Sequence, residues 1–414
     1  MKNKILAITG AFLPYNDTVT LLAYKHLRRT GLEADVIALS ANEDRNILND
    51  FENDPYRNKV KIIYSKAYHD TIAGMQNKNV FKGMMNVFLY CKDACKRYKE
   101  VNYQYVYTSS IPCFTHLAGY WIKKKNRDVK WIASFSDPIN KSPYKYDKET
   151  FIEYSIIEKI GFLVYIFLYM NAYYEKIAMK HADRLVFICE EQRDFMIQNY
   201  PRKKRESLLA KSIIIPLNYI EEWDLYKELM GEDNYTLNPC KTIVHMGRIY
   251  GLRNFKNIIL AIKELNDEIE HLECKLQIVQ YGEFLNRYKK MIEEYNLGNL
   301  FVYKEKVSYG QGIQIMKEAD ALLLVDTIFD DEQKIQPYLP SKIMEYFLLR
   351  KPIVAIANQL SPTYRLMKEN DLACSQNNVE DIKCQFRDLI VMDTYSASSK
   401  VHENKEIMDV LKEI

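Results

Sequence analysis

Three stretches in the second half of the chain combine glycine, cations and carboxylates where the apolar pattern passes from strand to helix. The first is Gly247-Arg248-Ile249-Tyr250-Gly251-Leu252-Arg253, which follows the run Thr242 to Met246. Two arginines at the mouth of a helix suit a phosphate, because guanidinium groups offer paired N–H donors to oxyanions. The second is Gly282-Glu283, at the end of the run Leu276 to Tyr281. The third is Pro340-Ser341-Lys342-Ile343-Met344-Glu345. Pro340 and Ser341 are helix-start residues, and Lys342 adds a full positive charge to the positive end of the helix dipole. Glu345, four residues after Ser341, falls on the same side of that helix. An anion seat beside a carboxylate is what a pyrophosphate and a ribose diol require. Taken alone, the third stretch is equally an ordinary N-cap, a solvated lysine and a surface carboxylate.

In the first half the candidate is Asp137, which follows the run Trp131 to Phe135 and precedes Pro138. In an open parallel sheet, ligands gather outside the carboxyl ends of the strands, so its position alone makes Asp137 a candidate. A plain Asp-Pro turn accounts for the same residues. The acidic group of Asp326 with Asp330-Asp331-Glu332 lacks the Asp-x-Asp spacing of a metal-assisted transfer site and reads as a solvated loop. The 7 histidines show no ligand spacing, so no metal or other cofactor is expected.

The elements that must hold these residues alternate strand and helix throughout, which predicts an α/β protein of parallel sheets. Strands are expected at Ile5 to Thr9, Asp35 to Leu39, Val60 to Tyr64, Tyr105 to Thr108, Trp131 to Phe135, Leu185 to Ile188 and Ser212 to Ile215. Residues 65–83 read as a loop on the substrate side. The rhythm fails from Leu217 to Cys240, where Gly231, Asn234, Asn238 and Pro239 cluster, and resumes at Thr242. The expected organisation is therefore a first domain over 1–216, a linker over 217–240, a second domain over 241–395 and a terminal helix over 396–414 that packs back on the first domain.

Composition sets outer limits. A chain of 414 residues exceeds the size at which one core usually keeps growing. Its 58 basic and 55 acidic side chains leave a net charge of +3, too balanced for wrapping nucleic acid. Eight cysteines are scattered without a CxxC pair, and the chain runs straight from Met1 into strand-like residues, so the expected setting is the cytoplasm. The most apolar stretch, 151–179, has a core of about eleven residues from Ile160 to Met170, short of the roughly 20 that span a bilayer. It reads as a buried helix or, with its tyrosines and flanking Lys159, Lys176 and Lys180, as a helix face on the inner surface of a membrane.

Gly247-Arg248-x4-Arg253, Gly282-Glu283 and Pro340-Ser341-Lys342-x2-Glu345-Tyr346, in that order and spacing, resemble the GT-B glycosyltransferases of the GT4-like, or glycosyltransferase group 1, branch. Ala182-Asp183 before a strand matches the family's first-domain pattern. The resemblance is strongest over 241–357 and weak over the first 180 residues. It implies two Rossmann-like domains facing across a cleft, with a nucleotide-sugar donor held by the second and a saccharide or lipid-linked acceptor by the first. It implies Arg248 and Arg253 on the pyrophosphate and Glu345 on the ribose. With Lys342, these cations would stabilise the leaving diphosphate without metal. The expected donor-binding set is Gly247, Arg248, Arg253, Gly282, Glu283, Pro340, Ser341, Lys342 and Glu345, and the expected catalytic set is Asp137, Arg248 and Arg253.

The departures matter too. Pro337 stands where the family often has a second, sugar-proximal glutamate, Asn16-Asp17 replaces a glycine pair, and Ser136-Asp137 stands where a histidine is sought. Two other readings fit the same fold: a nucleotide-sugar epimerase using carboxylates for proton chemistry, and a non-catalytic nucleotide-binding module.

Overall fold

The apolar runs that alternate with amphipathic segments become the strands of two parallel sheets. The computed structural model describes residues 4–13, 18–39, 54–65, 80–110, 112–140, 142, 162–216, 231–249, 251–329 and 334–397, with 80–82, 162–169 and 171 as backbone. Its elements divide between two compact units, one within 4–216 and one within 231–397.

In the first unit the order is β1 (Lys4–Ile8), α1 (Thr18–Thr30), β2 (Glu33–Ala38), β3 (Val60–Tyr64), α2 (Val80–Val101), β4 (Tyr105–Ser109), α3 (Phe114–Lys125) and β5 (Lys130–Phe135). It continues with α4 (Phe162–His181), β6 (Arg184–Phe187), α5 (Glu190–Ile197), α6 (Arg202–Leu209) and β7 (Ser212–Ile214). The strands lie in the order β3-β2-β1-β4-β5-β6-β7, every pairing parallel. Both faces of such a sheet must be covered, which is why its strands read as near-continuous apolar runs rather than alternating ones. Trp131, Phe114, Tyr90, Phe135 and Phe187 lie in its core. Asp183, the family-pattern residue, anchors the start of β5: its carboxylate accepts from the Trp131 N–H at 2.7 Å and pairs with Lys123 at 2.8 Å.

The second unit runs β8 (Asn234–Thr236), β9 (Lys241–Met246), α7 (Lys256–Glu268), β10 (Leu276–Tyr281), α8 (Asn286–Glu294), β11 (Phe301–Lys304), α9 (Tyr309–Glu318) and β12 (Ala321–Val325). Then follow α10 (Ile343–Leu349), β13 (Ile353–Ile356), α11 (Pro362–Glu369), α12 (Val379–Val391) and β14 (Thr394–Ser396). Its main sheet has the order β11-β10-β9-β12-β13, again all parallel.

Several expectations change in detail. Residues 234–236, assigned to the linker, form β8, which pairs antiparallel with β14. The chain is drawn into the second unit there because Gly231 N–H donates to Leu348 at 3.1 Å, Tyr235 to the Leu349 carbonyl at 2.8 Å, and Asn238 and Thr242 both donate backbone N–H groups to Asp320 at 2.9 Å. Of the expected terminal helix over 396–414, Ser396 is in β14 and residues 398–414 lie outside the described residues. The loop expected over 65–83 yields its last residues to α2, which begins at Val80; residues 66–79 are not among those described. The remaining linker, 217–230, and the apolar residues 151–161 also fall outside them.

Candidate functional site

Strands β9 and β12 are neighbours in the second sheet although β10 and β11 intervene in sequence, so connections leave their carboxyl ends in opposite directions and open a crevice between them. Gly247 sits at that end of β9. Its φ of +126° is one that side chains rarely adopt, and a Cβ there would lie 2.8 Å from the Lys342 Nζ. Gly282, at the end of β10 with φ +96°, brings its backbone so near that a Cβ would lie 3.1 Å from the Gly247 carbonyl oxygen. Conformation therefore favours glycine at both positions, and the nearby backbone leaves little room for a side chain at 282.

A buried polar pair fixes the turn from beneath. The Gln280 amide donates to the Gly247 carbonyl at 2.6 Å and to the Tyr281 carbonyl at 2.9 Å. Its oxygen faces His245 Nδ1 at 2.7 Å, so Nδ1 carries the proton. Burial first, then the charges of Arg253 and Lys342, hold His245 down to about 3, and it stays neutral at working pH. Neither residue stood out in the sequence; the available signal was a polar residue on each of two buried strands.

Opposite Gly247 the segment 340–345 departs from expectation. Ser341 does not cap the helix: α10 starts at Ile343, its N-cap position is Lys342, and no side chain caps it. The Ile343 N–H returns to the Pro340 carbonyl at 3.2 Å, so Pro340 and Ser341 belong to a turn ahead of the helix. The helix is wholly buried along its seven residues, including the expected apolar positions Ile343, Met344, Phe347 and Leu348. What this segment supplies is the side chains of Lys342 and Glu345 more than a helix terminus. Desolvation, with the nearby charge of Arg253, lowers Lys342 from 10.5 to about 8, while Glu345 pulls it up. Glu345 is 5% exposed and accepts the Tyr309 hydroxyl at 2.6 Å.

Arg253 bonds back to the Arg248 carbonyl at 3.1 Å, and its charge acts on His245, Lys342 and Asp326 together. Gly247, Arg253, Lys342 and Glu345 are thus brought together as expected. The Arg248 side chain lies apart in an exposed pair with Glu283 at 2.7 Å, an interaction of little energetic weight. Asp326 is no part of a solvated loop. It is fully buried after β12, accepts from the Thr327 N–H at 2.6 Å and the Gln336 amide at 2.8 Å, and burial raises it to about 7. It thereby ties the approach to Pro340 back onto the sheet; Asp330, Asp331 and Glu332 lie outside the described residues. Among the described residues no group of three or more His, Cys, Asp or Glu side chains is placed to hold a metal ion.

In the first unit Asp137 is half-buried in the loop that leaves β5. That loop is pinned on both sides of it. The Ser136 N–H donates to Ser110 Oγ at 2.8 Å, and the Ile139 and Asn140 N–H groups donate to Glu175 Oε2 at 2.7 and 3.2 Å. Glu175, from α4 and only 4% exposed, was not singled out in the sequence; a lone carboxylate on an apolar helix was its signal.

The profile of the family described as glycosyl transferases group 1 matches residues 236–406, which include every element of this second-unit site. Over these residues the chain is similar to the group 1 glycosyltransferases. No curated protein matches it by sequence. Solved structures resemble it over nearly its whole length. Sucrose-phosphate synthase from Thermosynechococcus elongatus is 12% identical with a TM-score of 0.60, over 94% of this chain and 90% of that one. The E. coli structure described as trehalose-6-phosphate bound with UDP-2-fluoro glucose is 10% identical with a TM-score of 0.58, over 99% and 95%. UDP-GlcNAc 2-epimerase from Neisseria meningitidis bound to UDP-GlcNAc is 11% identical with a TM-score of 0.53, over 99% and 98%. At such identities the likeness shows the fold, which is GT-B.

The site carries a measurable electrostatic signature. Lys342, lowered to about 8, is charged at pH 7 and loses its proton as pH rises through that value, whereas a solvated lysine keeps it past 10. Because Glu345 raises that value, Glu345→Gln should move the midpoint lower still. Side-chain NMR titration of labelled lysines checks both, and a Lys342 midpoint near 10.5 would contradict the described packing.

Proposed function

We propose that the protein transfers a sugar from a nucleotide-sugar donor to a saccharide or lipid-linked acceptor, as a retaining, GT4-like enzyme that needs no metal. The observation that carries this reading is the placement of Lys342 and Arg253 together at the β9–β12 switch point, against a glycine backbone and beside a buried carboxylate. Transfer leaves a nucleoside diphosphate, whose developing charge must be met by fixed donors. Arg253 and Lys342 meet it directly, and Arg248 joins them by exchanging Glu283 for phosphate. Glu345 takes the ribose diol. Asp137, on a loop pinned by Ser110 and Glu175, acts on the acceptor hydroxyl as base or orienting group.

Two readings compete: a nucleotide-sugar epimerase and, favoured by Pro337 in place of a sugar-proximal glutamate, a non-catalytic nucleotide-binding module. Titration calorimetry with UDP, GDP and ADP in EDTA, followed by incubation of labelled nucleotide sugars with a membrane lipid extract, separates all three. One diphosphate should bind without metal, and Glu345→Gln should weaken it about ten- to a hundredfold. Label should pass to acceptor, and Asp137→Asn should slow transfer about a hundredfold or more with little change in donor affinity. Binding only with restored Mg²⁺ contradicts the metal-free reading, and isomerised sugar without acceptor favours the epimerase.

The lipid-linked acceptor places the enzyme at the inner face of a membrane. Among the described residues no helix is long and apolar enough to cross one, but α4 carries the apolar run Phe162 to Met170. In the same unit α6 opens with exposed Arg202, Lys203, Lys204 and Arg205, four cations at the positive end of a helix, where an anionic surface would relieve their repulsion. The protein should float with anionic liposomes at low salt; protein left at the bottom of the gradient would make the apolar run simple core.

A further inference from the structure

The sequence pairs Glu345 with nothing, since its hydrogen-bond partner lies 36 residues away on another element. Tyr309 is the first residue of α9, and its place is set by a capping box: Ser308 Oγ accepts from the Gln311 N–H at 3.2 Å and the Gln311 side chain accepts from the Ser308 N–H at 3.1 Å. A rigid first turn of this kind fixes the direction in which the phenol leaves the backbone. Its ring is half-buried, and its hydroxyl donates to Glu345 Oε1 at 2.6 Å, within the range of charge-assisted hydrogen bonds.

We propose that Tyr309 is a positioning residue for the donor nucleotide: it holds the Glu345 carboxylate in the orientation that accepts a vicinal diol. This rests on the reading of Glu345 as the ribose-binding residue and deepens it. A glutamate has several rotatable bonds, and ordering it costs free energy each time a ligand is held. The phenol removes that cost in advance. A carboxylate offers about four acceptor positions, more than one phenol and two neighbouring hydroxyls require. Tyr309 itself offers the ligand no contact in this account, so its removal should be felt only by ligands that possess the diol. A merely structural tyrosine would weaken every nucleotide alike.

The test is calorimetry of the full chain with UDP and 2′,3′-dideoxy-UDP, with the GDP and ADP pairs in parallel, on the wild type, Tyr309→Phe, Glu345→Gln and the double variant. For the diphosphate that binds, Tyr309→Phe should raise Kd about tenfold. It should leave the dideoxy analogue's Kd unchanged. In the double variant the tyrosine change should add nothing to Glu345→Gln, because its only route to the ligand is gone. Thermal unfolding of Tyr309→Phe, which keeps the ring, confirms that the variant is folded. Equal weakening of both ligands, no weakening of either, or full additivity in the double variant each overturns the proposal. Failure of the wild type to bind any of the three diphosphates is a different result: it overturns the nucleotide reading of the site, and this inference with it.

Discussion

The second unit depends on a shared volume. The space that a side chain at position 247 would occupy is taken by the Lys342 ammonium, with the Arg253 charge acting on it. Holding Lys342 charged there, against a shift from 10.5 to about 8, costs about 3 kcal/mol relative to water. That cost already includes the favourable pull of Glu345. A structural salt bridge would not be built with the cations in excess, and a bound dianion would reverse the balance, since each charge-assisted hydrogen bond returns roughly 1.5 to 3 kcal/mol. The glycine conformations, the neutral His245 and the buried Asp326 all follow as the means of holding that arrangement together.

In the first unit the strand ends carry the opposite chemistry. Where β9 and β12 end in cations, β4 and β5 end in Ser109, Ser110, Ser136 and Asp137, and the buried Glu175 carboxylate accepts backbone N–H groups of the loop after β5. Hydroxyls and carboxylates are poor hosts for a diphosphate and suitable ones for a sugar alcohol. Under the proposed function, this difference in side-chain charge would divide donor from acceptor, each at the strand ends of its own unit.

Much of this was legible in the sequence, for an identifiable reason. Buried parallel strands are short apolar runs bounded by turn residues, and here they fall within a residue or two of the expected positions, as with Leu276–Tyr281 and Val60–Tyr64. Gly247, Arg253, Lys342 and Glu345 could be singled out because glycine and charge at strand-to-helix turns are local signals. Pairings made by tertiary structure escaped. Tyr309 meets Glu345 across 36 residues, Gln280 meets His245 across 35, and Glu175 meets the Asp137 loop across 36 and 35, distances at which spacing carries no information. Asp326 was misread because an acidic neighbourhood suggests solvent, whereas its carboxylate is committed to Thr327 and Gln336. The start of α10 slipped by two residues because proline and serine favour a turn before a helix as much as its first turn.

The most direct test of the central claim is the position of a bound diphosphate. A crystal structure of the protein grown with whichever of UDP, GDP or ADP it binds, in EDTA, should show both phosphates at the carboxyl ends of β9 and β12. They should lie within hydrogen-bond distance of Arg253 and Lys342 and against the Gly247 backbone, with the ribose hydroxyls on Glu345. A well-ordered nucleotide seated elsewhere, whether at the carboxyl ends of β1 and β4 or with Lys342 and Glu345 untouched, would contradict the account.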